Sequence, residues 1–322
     1  MSAISTELLS ASTVAIRDCM GAHPGERVLV VTDEPMRQIG FALQRAARDL
    51  GLEVLLVEML PRRSNGEEPP AEVAALMKQA DIVLCPTSKS LTHTDSRRAA
   101  SAVGARVATL PGVTEEIMVR CMNADYHEIA ARTYRLCERL DRTKIVRVTA
   151  PGGTDLTMPI AGRQAHASSG LFRDRGQWGN LPTGESYLAP LEGLSSGVLV
   201  VDGSMAGVGV VGQPLRIVVE KGYATEITGG PEADALIALL APHGRDARTV
   251  AEFGIGTNDK AKLTGVILED EKVMGTIHVA FGDNKSMGGT VRVASHLDGL
   301  VKRPTVWFDD EKVMEDGRLL VG

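Results

Sequence analysis

Aromatic side chains are scarce, at 3% of the chain, and the apolar content of 43% is carried mainly by Val, Ala and Leu. With 34 glycines to supply the positive-φ positions that tight turns require, this composition favours α/β layers. The four cysteines, Cys19, Cys85, Cys121 and Cys137, show no CxxC spacing, and a chain of 322 residues can build a core without disulfide staples, so they are read as buried free thiols. Basic residues do not dominate. The net charge is −6 and no dense basic stripe occurs, which excludes a nucleic-acid partner on electrostatic grounds; the pair Arg97-Arg98 reads as a solvated helix face. No apolar stretch approaches the roughly 20 residues that span a bilayer. The N-terminal MSAISTELLSAS lacks a basic region followed by an apolar block, so no membrane partner and a cytoplasmic location are expected.

What remains is an ordinary globular composition, long enough for two domains of about 100–200 residues each. The first half alternates apolar runs with amphipathic stretches, the pattern of a parallel sheet flanked by helices. RVLVVTD (Arg27 to Asp33) reads as a buried strand followed by a helix from Met36 to Asp49, with Gly51 just past its end. EVLLVEM, DIVLCPT and ARVATL read as further strands, with helices such as AEVAALMKQA between them. From Lys144 the character changes. KIVRVTAPGGTDLTMPI, GVLVVDGSMAG and LRIVVEKGYATEI read as strands and hairpins, with one clear helix at PEADALIALLAPHG. The expected fold is α/β: a Rossmann-like parallel α/β domain over residues 1–143 and a β-rich α+β metal-binding domain over 144–322.

The chemistry concentrates in the second half. His296 and Asp298 are two residues apart, so on an extended strand both point to one face and can converge on one ion. His278 lies nearby in GTIHVAFGDN, Glu185 in NLPTGESYLAP, and Glu252 in VAEFGIGTN, read here as a Gly-rich turn. Imidazole and carboxylate together suit Zn, Mn, Fe or Co. An H-x-D pair equally suits a hydrogen-bonded surface pair, so the other segments decide. GIGTN lacks the order and partners of a dinucleotide fingerprint. In SSGLFRDRGQWGN, Arg173, Arg175 and Trp178 offer groups that bind a carboxylate and stack on a ring, as does a mobile exposed loop without such a role.

NLPTGE, AEFGIGTN, HVAFGDN and HLDG occur in the order found in the aminopeptidase T / aminopeptidase S family of metallopeptidases, and ERVLVVTD and the SLTHT loop resemble its N-terminal domain. The likeness covers nearly the whole chain. The same superfamily contains 2,5-dihydroxypyridine 5,6-dioxygenase, an Fe(II) ring-opening enzyme. Carried over motif by motif, the resemblance implies metal ligation by Glu185, Glu252, His278, His296 and Asp298. It further implies one or two divalent ions (Zn, Co or Mn) that acidify a water, with Glu185 passing a proton to the leaving amine. The tyrosine that these peptidases carry after the HVAFG histidine is missing. Asn284 and Lys285 stand in that neighbourhood as replacement donors or as surface loop.

The expectation drawn from this is a metal-dependent hydrolase of a small-molecule or short-peptide, amide-type substrate, aminopeptidase-like and homodimeric. The alternative is an Fe(II) dioxygenase of a dihydroxypyridine-like ring, with His278, His296 and Asp298 as a facial triad. A third reading is a metal- or ligand-binding protein without catalysis. His93, on the loop after the strand DIVLCPT, is the candidate acid/base group, as the resemblance implies for the loop histidine of the dioxygenase relatives; a helix-capping loop explains the segment as well. His166 is a second, weaker candidate.

Overall fold

The computed structural model describes residues 3–321. Strands β1 (Arg27–Asp33), β2 (Glu53–Met59), β3 (Ile82–Cys85) and β4 (Arg106–Thr109) alternate with helices in the first part of the chain. These helices are α1 (Thr6–Val14), α2 (Arg37–Asp49), α3 (Ala71–Met77), α4 (Asp95–Ala102), α5 (Glu115–Met122) and α6 (Tyr126–Leu140). Then follow β5 (Ile145–Thr149), β6 (Asp155–Pro159), β7 (His166–Ser168), β8 (Trp178–Asn180), β9 (Glu185–Leu188), β10 (Ser196–Val201), β11 (Ser204–Met205) and β12 (Gly209–Val210). A hairpin of β13 (Leu215–Glu220) and β14 (Tyr223–Thr228) leads to α7 (Pro231–Leu240) and β15 (Val250–Gly256). The chain ends with α8 (Ile267–Asp270), β16 (Thr276–Gly282), β17 (His296–Lys302), β18 (Thr305–Phe308), β19 (Glu311–Glu315) and β20 (Arg318–Leu319).

The chain divides into two compact units, residues 1–128 with 170–183, and residues 129–169 with 184–322. In the first, a five-stranded sheet runs β2-β1-β3-β4-β8, every pair parallel. Helices α1, α4 and α5 begin where the sequence offers a side-chain acceptor for an otherwise unpaired backbone N–H: Ser5 caps α1 through Leu8 N at 3.2 Å, Thr94 caps α4 through Arg97 N at 3.2 Å, and Thr114 caps α5 through Ile117 N at 3.1 Å. Gly51, at φ 75°, follows the end of α2 in the conformation that favours glycine. Leu29, Val31, Val83, Cys85 and Val107 pack with Met77 and Leu91 into its core. All four cysteines are buried and free.

The second unit holds an eight-stranded sheet, β14-β13-β10-β6-β5-β18-β19-β20, and a seven-stranded sheet, β12-β11-β17-β16-β15-β9-β7. Val146, Val148, Leu156 and Ile217 of the first sheet meet Phe253, Ile255, Ile277, Val279 and Phe281 of the second in one core. Because successive strand residues face opposite ways, this buried set leaves Glu252, Gly254 and Gly256 of β15 and His278 and Ala280 of β16 on the other face. Among the described residues no helix is long and apolar enough to cross a membrane.

Candidate metal centre

Register assembles the polar face of the seven-stranded sheet. Gly256 pairs with Glu185 of β9, Gly254 with His278, Ala280 with Asp298, and Gly282 with His296. The spacing of His296 and Asp298 on β17 thus does place them on one face. The segment AEFGIG is strand, not the Gly-rich turn the sequence suggests. Its glycines answer a demand for space: a Cβ on Gly254 would lie 2.0 Å from His278 Nε2, and one on Gly256 would lie 2.2 Å from the Val273 carbonyl oxygen.

The five predicted residues converge. His278 Nε2 lies 3.2 Å from Glu252 Oε1 and 3.5 Å from Glu185 Oε2, while His296 Nε2 lies 3.1 Å from Glu252 Oε2 and 3.5 Å from Asp298 Oδ1. Glu252 is the shared member of two ligand groups, one with Glu185 and His278, the other with His296 and Asp298. The two histidines stand on either side of Glu252, and each shares a group with Asp298, His296 together with Glu252 and His278 together with Glu271. A third group joins Glu271 to His278 and Asp298.

Two participants escaped the sequence reading. Lys272, 3% exposed, donates from Nζ to Glu185 Oε1 at 2.6 Å and also to Glu271. Both sit in ILEDEKVMG, a charge run that resembles a solvated helix face, yet Glu269, Asp270 and Lys272 are all buried. Only the density of acids beside a lone lysine hinted otherwise.

Electrostatics make the cluster a cation site. Burial opposes the charge on His278, but the hydrogen bond to Glu252 and the nearby Glu185 and Asp298 carboxylates raise its pKa to about 9. His296 rises well above its usual value despite burial, through Asp298 and Glu252. Burial also pushes against the charge of Glu252, and the two imidazoles overcome it, holding that carboxylate well below its usual range. For Glu271 burial prevails, with Glu185 and Asp298 adding to it against Lys272, and the carboxyl is raised to about 8. Lys272 is held above its usual value by Glu185 and Glu271, which outweigh its burial.

The donor set fits a divalent metal. His296 Nδ1 lies 2.7 Å from the Asp283 carbonyl oxygen, so it donates there and leaves Nε2 to face two carboxylates. A bare nitrogen lone pair against carboxylate oxygens is repulsive. Either a proton or a metal ion must lie between them. Glu185 Oε2, Asp298 Oδ1 and His278 Nδ1 are buried without a hydrogen-bond partner, and the two oxygens are acceptors that a cation would satisfy. Oxygen and imidazole donors suit ferrous iron as well as Zn, Co or Mn.

His93 lies exposed on the loop between β3 and α4 of the first unit, its ring edge-on to Trp178 at 6.3 Å. His166, on β7, stacks on Tyr187 at 5.3 Å. Asn284 is fully buried, donating to Glu192 Oε1 at 2.8 Å and accepting from Val291 N at 2.9 Å, so it braces a loop and is not available as the replacement donor; Lys285 is exposed. Arg173 and Arg175 are engaged with the carbonyls of Asp18, at 2.9 Å, and Val103, at 3.2 Å.

A parallel α/β unit and a β-rich unit bearing an acidic, imidazole-containing cluster define a metal-binding enzyme class. Within that class the chain belongs to the NicX family, 2,5-dihydroxypyridine 5,6-dioxygenase, whose family model matches residues 8–321. It is 23% identical over 262 residues to 2,5-dihydroxypyridine 5,6-dioxygenase of Pseudomonas putida, covering 75% of this chain and 71% of that one. The solved structure of the 2,5-dihydroxypyridine dioxygenase from P. putida KT2440 superposes with a TM-score of 0.84 at 19% identity, covering 99% of both chains. Wild-type AmpT from Thermus thermophilus follows at 0.70 and 18% identity, covering 99% of this chain and 100% of that one. These structural likenesses show the fold. The dioxygenase family named alongside the aminopeptidases from the sequence motifs is the one that matches; the likeness to AmpT is one of fold. The metallohydrolase expectation, with its peptide substrate, is overturned by the family match, which puts the chain with the dioxygenases.

Proposed function

We propose that this protein is an Fe(II)-dependent dioxygenase that opens a dihydroxypyridine-like ring. The observation that carries the reading is the family match over residues 8–321, and the buried carboxylate–imidazole cluster supports it. Glu252, His278, His296 and Asp298 would hold the iron, with the Glu252 carboxylate between the two imidazoles. Bound ferrous iron supplies the one-electron chemistry with O₂ that closed-shell side chains lack.

The chain's own groups prepare that site. His296 keeps its Nδ1 proton on the Asp283 carbonyl, which fixes the ring and aims Nε2 into the cluster. Lys272 ties Glu185 to Glu271 and keeps the first carboxylate in place on β9. Asp298, 6% exposed, and His278, fully buried, exclude bulk water from the face they line.

The test is oxygen uptake by anaerobically iron-loaded protein given 2,5-dihydroxypyridine. Consumption of O₂ in step with loss of the ring absorbance is expected. Asp298→Asn and Glu252→Gln should abolish it together with iron retention while far-UV circular dichroism is unchanged. Ring opening in the absence of oxygen, or no uptake by fully iron-loaded protein, overturns the reading.

A further inference from the structure

The metal-bearing face of the seven-stranded sheet does not end at Glu185. Along β9 the side chains alternate: Ser186 turns to Cys137, Oγ to Sγ at 3.0 Å, and Leu188 turns into the core, so Tyr187 shares the face of Glu185. Register sets Tyr187 beside Gly254 and Gly254 beside His278, two strands or about 10 Å across the sheet. Gly254 has no side chain to stand between them, and the His278 ring lies over the vacant place, its Nε2 falling 2.0 Å from where a Cβ would be.

The Tyr187 ring is held from its other side. His166 is its direct partner in the β7–β9 ladder, and the two rings stack at 5.3 Å with their planes 24° apart. Its hydroxyl, by contrast, meets no hydrogen-bond partner among the described residues, whereas the Tyr126 hydroxyl takes Thr183 N at 3.3 Å and Tyr134 donates to Ser169 Oγ at 3.2 Å. Burial first, then Glu185 and Glu252, push the Tyr187 phenol above its ordinary pKa, so the O–H stands protonated in the field of those carboxylates. Asn284 supplies no donor here, being spent on Glu192 and Val291. We propose that the Tyr187 hydroxyl is a substrate contact, donating a hydrogen bond to a ring oxygen of the ligand bound at the metal face, and that His166 is its positioning residue. A hydroxypyridine oxygen, as anion or as pyridone carbonyl, is a strong acceptor, and a fixed donor beside it selects rings that carry oxygen over rings that do not. The identity of that ligand rests on the dihydroxypyridine reading; the place of the donor does not.

The experiment is a calorimetric titration of the full-length, Mn(II)-loaded protein with 2,5-dihydroxypyridine under argon, so that binding is read without turnover. Tyr187→Phe, which removes one oxygen and keeps the stacked ring, should weaken binding by about tenfold or more while Mn(II) content and melting temperature stay at the wild-type values. His166→Ala should weaken it by a smaller factor, His166→Phe should restore it, and His166→Ala should add nothing in the Tyr187→Phe background, a coupling that a purely structural role would not show. Unchanged affinity in Tyr187→Phe, loss of Mn(II) from it, or additive effects of the two substitutions overturns the proposal. Oxygen uptake by the iron-loaded wild type, measured in parallel, separates the two readings. Uptake with a neutral Tyr187→Phe sinks the donor alone, binding that depends on Tyr187 without uptake sinks the dioxygenase alone, and no binding by the wild type sinks both.

Discussion

One glycine decides where the His278 ring can lie. Gly254 stands opposite His278 in the β15–β16 ladder, and any Cβ there would fall 2.0 Å from Nε2, the nitrogen that faces Glu185 and Glu252. Neither partner can retreat, because His278 is fully buried and both strands are paired on each side. Gly254→Ala is therefore expected to cost about 1–3 kcal/mol through overpacking. It should also weaken metal retention by about tenfold or more, since a displaced ligand ring is at least as harmful as a lost outer-shell partner. Denaturant midpoints and metal content after dialysis measure the two effects. An unchanged midpoint with full metal would mean that the ring has room the structure does not show. Lys272 illustrates the opposite limit of sequence reading, since a lysine in a run of acids looks solvated, and only tertiary packing buries it against Glu185 and Glu271.

At the scale of elements, legibility follows side-chain pattern. β1 and β2 are read from sequence at their observed ends, because RVLVVTD and EVLLVEM are continuous runs of strand-forming residues bounded by turns. β17 places His296 and Asp298 together because a strand repeats every two residues. β15 hides itself: glycine disfavours strands locally, and its place in AEFGIG is set by a neighbouring imidazole and a carbonyl that sequence cannot reveal. β8 spans three residues, too few to carry a period, so a segment read as loop becomes the edge of the parallel sheet. The connection from β16 to β17 is held by Asn284, whose amide satisfies both Glu192 Oε1 and Val291 N. Truncating it leaves the half-buried Glu192 Oε1 with Thr290 N alone and the Val291 N–H short of a partner, so Asn284→Ala should lose about 1–3 kcal/mol of stability. Urea denaturation checks this, and a loss much below that range would return Asn284 to the role of a surface residue.

For the whole molecule, the fold class and the residues that converge on one sheet face were legible while the reaction was not, and the reason is chemical. Carboxylates and imidazoles on a strand face serve hydrolysis and oxygenation alike, so motif spacing locates a metal centre without choosing its chemistry. The same cluster also ties global stability to pH. In the metal-free protein His278 titrates at about 9 against an ordinary value of 6.5, so the stability it contributes is fully present below pH 6.5 and lost as pH rises through 9. Glu271, raised from 4.5 to about 8, acts in the same direction, since ionising it costs the folded state progressively more across that interval. Glu252, depressed below its ordinary 4.5, works the other way only in acid, contributing above 4.5 and losing that contribution as pH falls further. The metal-free melting temperature should therefore fall from pH 6.5 to pH 9. A divalent cation replaces the protons on the imidazoles, so its binding strengthens over the same interval and its stabilisation grows by mass action. With Mn(II) as an air-stable probe, the rise in melting temperature on adding metal should be larger at pH 9 than at pH 6.5. A rise that stays flat or shrinks would mean that the cation does not displace protons from His278 and His296, and would place the metal elsewhere.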